Sequence, residues 1–191
     1  KNNLNLVLNN VGKLIGKEIT LHKYDIKNID SKYFDEAKRL LPEDRYIGLS
    51  LTQGNIYRKK SWSLNKFIIL TKSIIKRGYK PVFFLNNNNR DLIDTIKSNV
   101  NSALFPELET NLSCPALITA MSTRLKKAIS IDNGIMHMIS LANIPMIVLF
   151  GPTNSKKFAP KIKNIEIMDS KVLHKSDDIE TISVEDVLKF I

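Results

Sequence analysis

The segment from Ala128 to Asn154 (AISIDNGIMHMISLANIPMIVLFGPTN) constrains the fold of this chain more than any other part. It contains an apolar run, a polar turn around Gly134, a helical pattern, a second apolar run and a turn that begins at Gly151. Two buried strands joined by a helix form a βαβ unit, in which the strands run parallel. Ligands of such sheets bind beyond the carboxyl ends of the strands, where both polar turns lie.

The rest of the chain continues this alternation of helical and extended patterns. Helices are predicted near residues 2–16, 31–41, 63–77, 90–98, 113–122 and 183–191, and strands near residues 46–51, 81–85, 103–105 and 165–168. Residues 171–178 are polar and predict a loop. We therefore predict an α/β, Rossmann-like parallel sheet of about six strands with helices on both faces. It should span residues 46–191, after a helical lead-in or interdomain segment at residues 1–45.

Composition limits the class of protein. The chain has 191 residues, 43% of them hydrophobic, which suits a globular domain with a sizeable core. Its formal net charge of +10 attracts phosphates. Because the charged residues are dispersed along the chain, this charge does not by itself indicate a nucleic-acid-binding protein. The three histidines and one cysteine lack metal-ligand spacing, so no metal site is predicted. The lone Cys114 favours a reducing compartment. Because residue 1 is lysine, we expect a fragment, a processed chain or an ordered part of a longer protein.

The turn Asp132-Asn133-Gly134 and the following histidine form the first candidate site. Gly134 allows the backbone to approach a ligand closely, and a helix that begins here offers N–H groups to a diphosphate. Asn133 and His137 are four residues apart, which places them on one face of the first helical turn. The alternative is structural, with Asp132 capping the helix and His137 satisfied in a partly buried position. The turn at residues 151–154 adds a second polar rim and favours function.

The loop over residues 51–62 follows the first predicted strand and is the second candidate site. Residues 53–55 (Gln-Gly-Asn) can present backbone N–H groups, and the basic run over residues 58–60 can neutralise phosphate. The loop lacks both the Gly-Lys-Ser/Thr of a Walker loop and the Gly-x-Gly-x-x-Gly dinucleotide fingerprint. Taken alone, it is better explained as a solvated basic segment with Trp62 packed into the core.

Together these motifs resemble glycosyltransferase family 9, the heptosyltransferase family. The family pattern is a strand, a loop that ends in Lys-x-Trp and a helix, then a strand ending in Asp-Thr-Gly-x-x-His and a strand ending in Phe-Gly-Pro-Thr. The corresponding segments here are YIGLSLTQGNIYRKKSW (46–62), IDNGIMH (131–137) and LFGPTN (149–154), in the same order. The resemblance is good over residues 46–154 and weaker toward the C-terminus.

The resemblance implies the C-terminal half of a GT-B enzyme, which transfers a sugar from a nucleotide-sugar such as ADP-heptose to a lipopolysaccharide-type acceptor. The transfer would invert the configuration at the anomeric carbon and would need no metal or cofactor. Lys60 would contact the donor diphosphate and Asp132 the sugar, while the catalytic base would lie in an N-terminal domain outside these residues. The candidate donor-binding residues are, in full, Gln53, Gly54, Asn55, Ile56, Lys60, Asp132, Asn133, Gly134 and His137.

Two departures from the family pattern bear on specificity. Asn133 stands where the family has threonine, which exchanges a hydroxyl for an amide. Residues 86–89 are four asparagines where the family often has glycine followed by an acidic residue that contacts the donor. Asp91 is then the only local acidic candidate for that contact.

Three classes of function stay open at this point. The first is a transferase of bacterial surface-glycan synthesis at the cytoplasmic face of the inner membrane, with peripheral contact to anionic lipid. The second is a non-catalytic nucleotide or nucleotide-sugar-binding module. The third is a nucleic-acid-binding Rossmann-like domain, which a steep salt dependence of oligonucleotide binding would reveal.

Overall fold

The computed structural model describes residues 3–17, 24–53 and 60–191. The order of strands and helices in these residues is α1 (Asn3–Ile15), α2 (Ser31–Leu40), β1 (Tyr46–Ser50), α3 (Leu64–Lys76), β2 (Lys80–Phe83), α4 (Arg90–Asn99), α5 (Pro115–Ser122), β3 (Leu125–Ile131), α6 (Gly134–Ser140), β4 (Met146–Phe150), α7 (Ser155–Phe158), β5 (Ile165–Asp169), α8 (Ser170–Leu173) and α9 (Val184–Leu188). Short 3₁₀ turns lie at Ile26–Asn28, Asn87–Asn89, Pro106–Glu109 and Ile179–Thr181.

The strands of the described residues form one five-stranded sheet in the order β2-β1-β3-β4-β5, and every pair of neighbours is parallel. The chain passes from β1 outward to β2, then crosses to the other side of β1 and continues through β3 to β5. The direction of winding therefore reverses between β1 and β3. Loops diverge at such a switch point and leave a crevice beyond the strand ends, where ligands of these sheets bind.

Each face of the sheet carries its own hydrophobic core, because successive residues of a strand point to opposite faces. In β4, Ile147 and Leu149 join one core, whereas Val148 and Phe150 join the other. Helices α3, α4 and α9 cover the first core, and α2, α5 and α6 cover the second. The predicted α/β Rossmann-like architecture with helices on both faces is confirmed.

Two details of the predicted fold are wrong. The described residues contain five strands rather than about six, because residues 103–105 contribute only a single bridge between Leu104 and Val82. Pro106 follows at once, begins a 3₁₀ turn and lacks an N–H to extend the pairing. The loop predicted over residues 171–178 also begins inside a helix, because the Asp169 carboxylate caps α8.

The proposed division into residues 1–45 and 46–191 stays a prediction. Within the first part, α2 packs on the sheet domain, with Ala37 buried in the second core beside Leu41, the residue that ends the helix. None of the described helices is both long and apolar enough to cross a membrane.

Candidate functional site

Three loops meet at one carboxylate oxygen beyond the carboxyl edge of the sheet. Asp132 directly follows β3, and its Oδ2 lies 2.5 Å from Nζ of Lys60, which ends the loop after β1. The hydroxyl of Thr153, in the turn after β4, donates to the same oxygen at 2.7 Å. The predicted proximity of the turns after β3 and β4 is confirmed by this contact.

Lys60 and Asp132 form a mostly buried ion pair, with side chains 14% and 8% exposed. The backbone N–H of Lys60 donates to Oε1 of Gln53 at 2.8 Å, so the two ends of the loop are joined. Two residues further on, Trp62 is buried in the first core and its indole N–H donates to the carbonyl of Ile182 at 2.9 Å. Trp62 therefore packs into the core as predicted, whereas Lys60 is not part of a solvated basic segment.

The Asn133 side chain caps α6 and ties the switch point together. Its Oδ1 accepts from the backbone N–H of Met136 at 2.8 Å, and its Nδ2 donates to Oγ of Ser50 at 2.8 Å and to the carbonyl of Thr52 at 2.9 Å. An amide can serve as acceptor and double donor at once, which a threonine hydroxyl cannot. The alternative that Asp132 caps the helix is wrong, because the Asn133 side chain caps α6 and the Asp132 carboxylate pairs with Lys60.

A cleft opens beside this pair at the switch point. It has a volume of about 360 Å³, and those of its lining residues that the structure describes are all uncharged: Thr52, Gln53, Asn86, Asn88, Asn89, Asn133, Gly134, Ile135 and Met138. Gly134 is exposed, and a Cβ added to it would meet no heavy atom within 4 Å. The backbone at Gly134 is therefore open to close approach by a ligand.

The remaining predicted residues are less closely grouped. His137 lies exposed on α6, outside the set of residues that line the cleft. Asp91 lines an adjoining hollow of about 320 Å³ with residues 87–92, at the start of α4, and this hollow shares Asn88 and Asn89 with the cleft. Residues 54–56, for which donor contacts were predicted, lie outside the described residues. The donor-binding roles of all these residues stay predictions.

Sequence reasoning missed several residues of this edge. Thr153 was seen as part of a polar rim but not as a partner of Asp132, although parallel strands bring the residues after β3 and β4 together. Ser50 is fully buried at the end of β1, and a polar residue closing an apolar strand is a usable signal for such a network. No comparable signal indicated that Ile135 and Met138 line the cleft, since apolar residues of a helix are ordinarily expected in the core.

The described residues contain no group of three His, Cys, Asp or Glu side chains that could hold a metal ion. Among the described residues, Lys60 and Asp132 supply the charge at this point. That the protein works without a metal stays a prediction.

Comparison with known proteins points to one family. A family model described as glycosyltransferase family 9 (heptosyltransferase) matches residues 13–187. Among curated proteins, none matches the sequence significantly.

Solved structures share the fold at low sequence identity. A family 9 glycosyl transferase from Veillonella parvula has a TM-score of 0.72 at 20% identity, covering 94% of this chain and 56% of its own length. The ADP-heptose LPS heptosyltransferase II of E. coli has a TM-score of 0.67 at 17% identity, with 85% and 51% covered. The E. coli heptosyltransferase WaaC, solved with ADP, has a TM-score of 0.66 at 13% identity, with 94% and 52% covered. This chain thus spans about half the length of these structures.

The family model covers most of the chain, and the motifs that it shares with the family lie around the switch point of the sheet. The chain therefore belongs to glycosyltransferase family 9.

Proposed function

We propose that this chain is the donor-binding half of an inverting glycosyltransferase, which transfers a sugar from a nucleotide-sugar such as ADP-heptose to a lipopolysaccharide-type glycolipid. The observation that carries the proposal is the buried Lys60–Asp132 pair at the switch point, together with a cleft whose described lining residues are uncharged. A nucleotide-sugar has a neutral nucleoside, an anionic diphosphate and a polyhydroxylated sugar. The edge of the sheet offers a chemically matched surface to each.

The cleft suits the nucleoside. Its volume of about 360 Å³ lies within the range of small-molecule sites, and its amide side chains can donate to and accept from ribose hydroxyls and base nitrogens. Ile135 and Met138 add apolar surface for the flat face of a base. Asn86, Asn88 and Asn89 lie where other family members often have an acidic residue, so neutral amides take over that contact in the proposal.

Lys60 suits the diphosphate, since a lysine ammonium next to an open backbone binds phosphate oxygens as a point charge. Gly134 leaves room for the phosphates against the start of α6. Asp132 suits the sugar, because an ionised carboxylate accepts hydrogen bonds from hydroxyl groups. In this proposal Asn133 holds the turn in place through its own hydrogen bonds, and His137 donates to the phosphates.

The proposed reaction is a direct displacement at the sugar. An acceptor hydroxyl attacks the anomeric carbon from the face opposite the diphosphate, the bond from that carbon to the diphosphate oxygen breaks, and the configuration inverts. Negative charge grows on the leaving nucleotide, and Lys60 opposes that charge most strongly in the transition state. The base that accepts the hydroxyl proton is assigned to the N-terminal domain, and Lys60 supplies the positive charge without a metal or cofactor.

The site of action is proposed to be the cytoplasmic face of the inner membrane, where a glycolipid acceptor is available. Helix α7 supports peripheral contact with anionic lipid, because it exposes Lys156, Lys157 and Phe158. No nucleic-acid partner is proposed, and weak binding of an oligonucleotide at physiological salt would agree with that.

A non-catalytic nucleotide or nucleotide-sugar-binding module is the second candidate, favoured by the Lys60–Asp132 pair, which suits the binding of a diphosphate whether or not a transfer follows. Two measurements separate the candidates. Calorimetry with ADP, ADP-sugar and UDP should show binding of the adenine nucleotides, and absence of any nucleotide binding would refute both candidates. Sugar transfer to a lipid acceptor by the full-length protein, but not by this chain alone, supports the transferase. Nucleotide binding with no transfer by the full-length protein would favour the module.

A further inference from the structure

Thr153 makes a contact that the proposed function does not use. Its hydroxyl donates to Oδ2 of Asp132 at 2.7 Å, and Nζ of Lys60 lies 2.5 Å from the same oxygen. One carboxylate oxygen thus holds two donors, a neutral one from the turn after β4 and a charged one from the loop after β1. The two donors are not equivalent, because only the charged one has an attraction to phosphate.

The turn that carries Thr153 is fixed by close packing and by a hydrogen bond. A Cβ placed on Gly151 would lie 2.8 Å from Cβ of Ile179, so the turn and that residue are in tight contact. The carbonyl of Pro152 accepts from Nζ of Lys171 at 2.9 Å. The backbone of the turn is therefore anchored by contacts that do not involve Lys60, and this keeps Thr153 within reach of Asp132.

A diphosphate that binds Nζ of Lys60 competes with the Asp132 carboxylate for the same ammonium group. In the ion pair the Asp132 side chain is only 8% exposed. Moving the lysine onto a phosphate leaves a buried carboxylate without its cation, which is costly unless another donor remains. Thr153 is positioned to be that remaining donor.

We propose that Thr153 is a positioning residue for donor binding: it holds Asp132 in place while Lys60 moves from the carboxylate to the donor diphosphate. The inference rests on the proposed function, because it requires a diphosphate ligand. No covalent bond changes. One ion pair, Lys60 with Asp132, is exchanged for another, Lys60 with phosphate, while the hydrogen bond from Thr153 to Asp132 persists.

Calorimetric titration of the chain with ADP tests this exchange. Thr153→Val removes the hydroxyl with little change of shape, and Thr153→Ser keeps it. Asp132→Asn removes the charge that Lys60 must leave, and ADP carries no sugar, so the proposed sugar contact of Asp132 is not measured. Thr153→Val should weaken ADP binding about ten-fold, roughly the effect of one hydrogen bond to a charged group, and Thr153→Ser should bind like the wild type.

The double-mutant cycle separates positioning from a structural role. In the Asp132→Asn background, Thr153→Val should have no further effect on ADP affinity, and melting temperatures confirm that each variant is folded. An equal loss in both backgrounds would overturn the proposal, because Thr153 would then act on the ligand or on the fold directly. If Thr153→Val binds ADP with the affinity of the wild type, Thr153 has no positioning role, and the proposed function still stands. If neither the wild type nor Asp132→Asn binds ADP, the proposed function fails as well.

Discussion

A single methyl group at Gly134 probes the proposed diphosphate site without disturbing the fold. Gly134 begins α6 and is exposed, and an added Cβ would have no heavy atom within 4 Å. It also lacks the left-handed φ that Gly78 adopts at 78°. Gly134→Ala should therefore leave the free energy of unfolding unchanged or raise it by about 0.4–1 kcal/mol, because alanine has less conformational freedom to lose.

The same methyl should weaken nucleotide binding. Gly134 lines the cleft, and in the proposed complex its backbone lies against the phosphates. Forcing an extra methyl into a close-fitting contact typically costs about 1–3 kcal/mol. That cost corresponds to a loss of ADP affinity of about 5- to 150-fold. Gly134→Ala should thus lower ADP affinity while the free energy of unfolding stays the same or rises.

Gly48→Ala is the matched control, because it makes the same chemical change in the core. A Cβ at Gly48 would lie 2.6 Å from Cδ1 of Leu125 and 2.9 Å from Cε2 of Phe84. It should lower the free energy of unfolding by about 1–3 kcal/mol and leave ADP affinity of the folded protein unchanged. Chemical denaturation and calorimetry measure both quantities. If Gly134→Ala binds ADP as tightly as the wild type, the phosphates do not lie against this backbone and the reasoning is refuted.

Three further substitutions test charge. Lys60→Ala should weaken ADP binding by about 1–3 kcal/mol in calorimetry, and tight binding by this variant would contradict its phosphate role. His137→Ala in the full-length protein should lower the rate of sugar transfer about 10- to 1000-fold, as for the loss of one preorganised donor, and an unchanged rate would exclude that role. Hydrogen bonds, the strongest from Arg39, lower the pKa of Glu36 from 4.5 to about 2. Glu36→Gln should therefore cost about 1 kcal/mol of unfolding free energy above pH 4.5, and the difference should vanish as the pH falls toward 2. Melts across this range test it against Asp35→Asn on the same helix, and a loss independent of pH would refute it.

The order of elements was predictable because buried strands and amphipathic helices have different periods. The β3–α6–β4 unit follows directly from two apolar runs and a helix that begins after Asn133. The number of strands was not predictable from the same signal. Three apolar residues at positions 103–105 are compatible with a strand and with a single bridge, and only their packing beside β2 decides which of the two forms.

The candidate site was predictable in its place but not in its contacts. Lys60 and Asp132 are 72 residues apart, and parallel topology together with the family resemblance assigns both to one edge. Nothing in the sequence indicates that they contact each other, because that depends on the path of the loop over residues 51–62. The hydrogen bonds of the Asn133 amide were equally hidden, since they depend on Ser50 ending β1 within reach of that side chain.

The ion pair changes how affinity at this site has to be interpreted. An isolated buried lysine would attract a diphosphate strongly, but it would also destabilise the unliganded protein, because an unpaired buried charge is costly. Pairing Lys60 with Asp132 removes that cost and makes the diphosphate compete with a carboxylate that is already 2.5 Å away. In the proposed complex, nucleotide affinity is then the difference between two ion pairs rather than the strength of one. For that reason Lys60→Ala and Asp132→Asn, which break the same contact, should change ADP affinity with opposite signs.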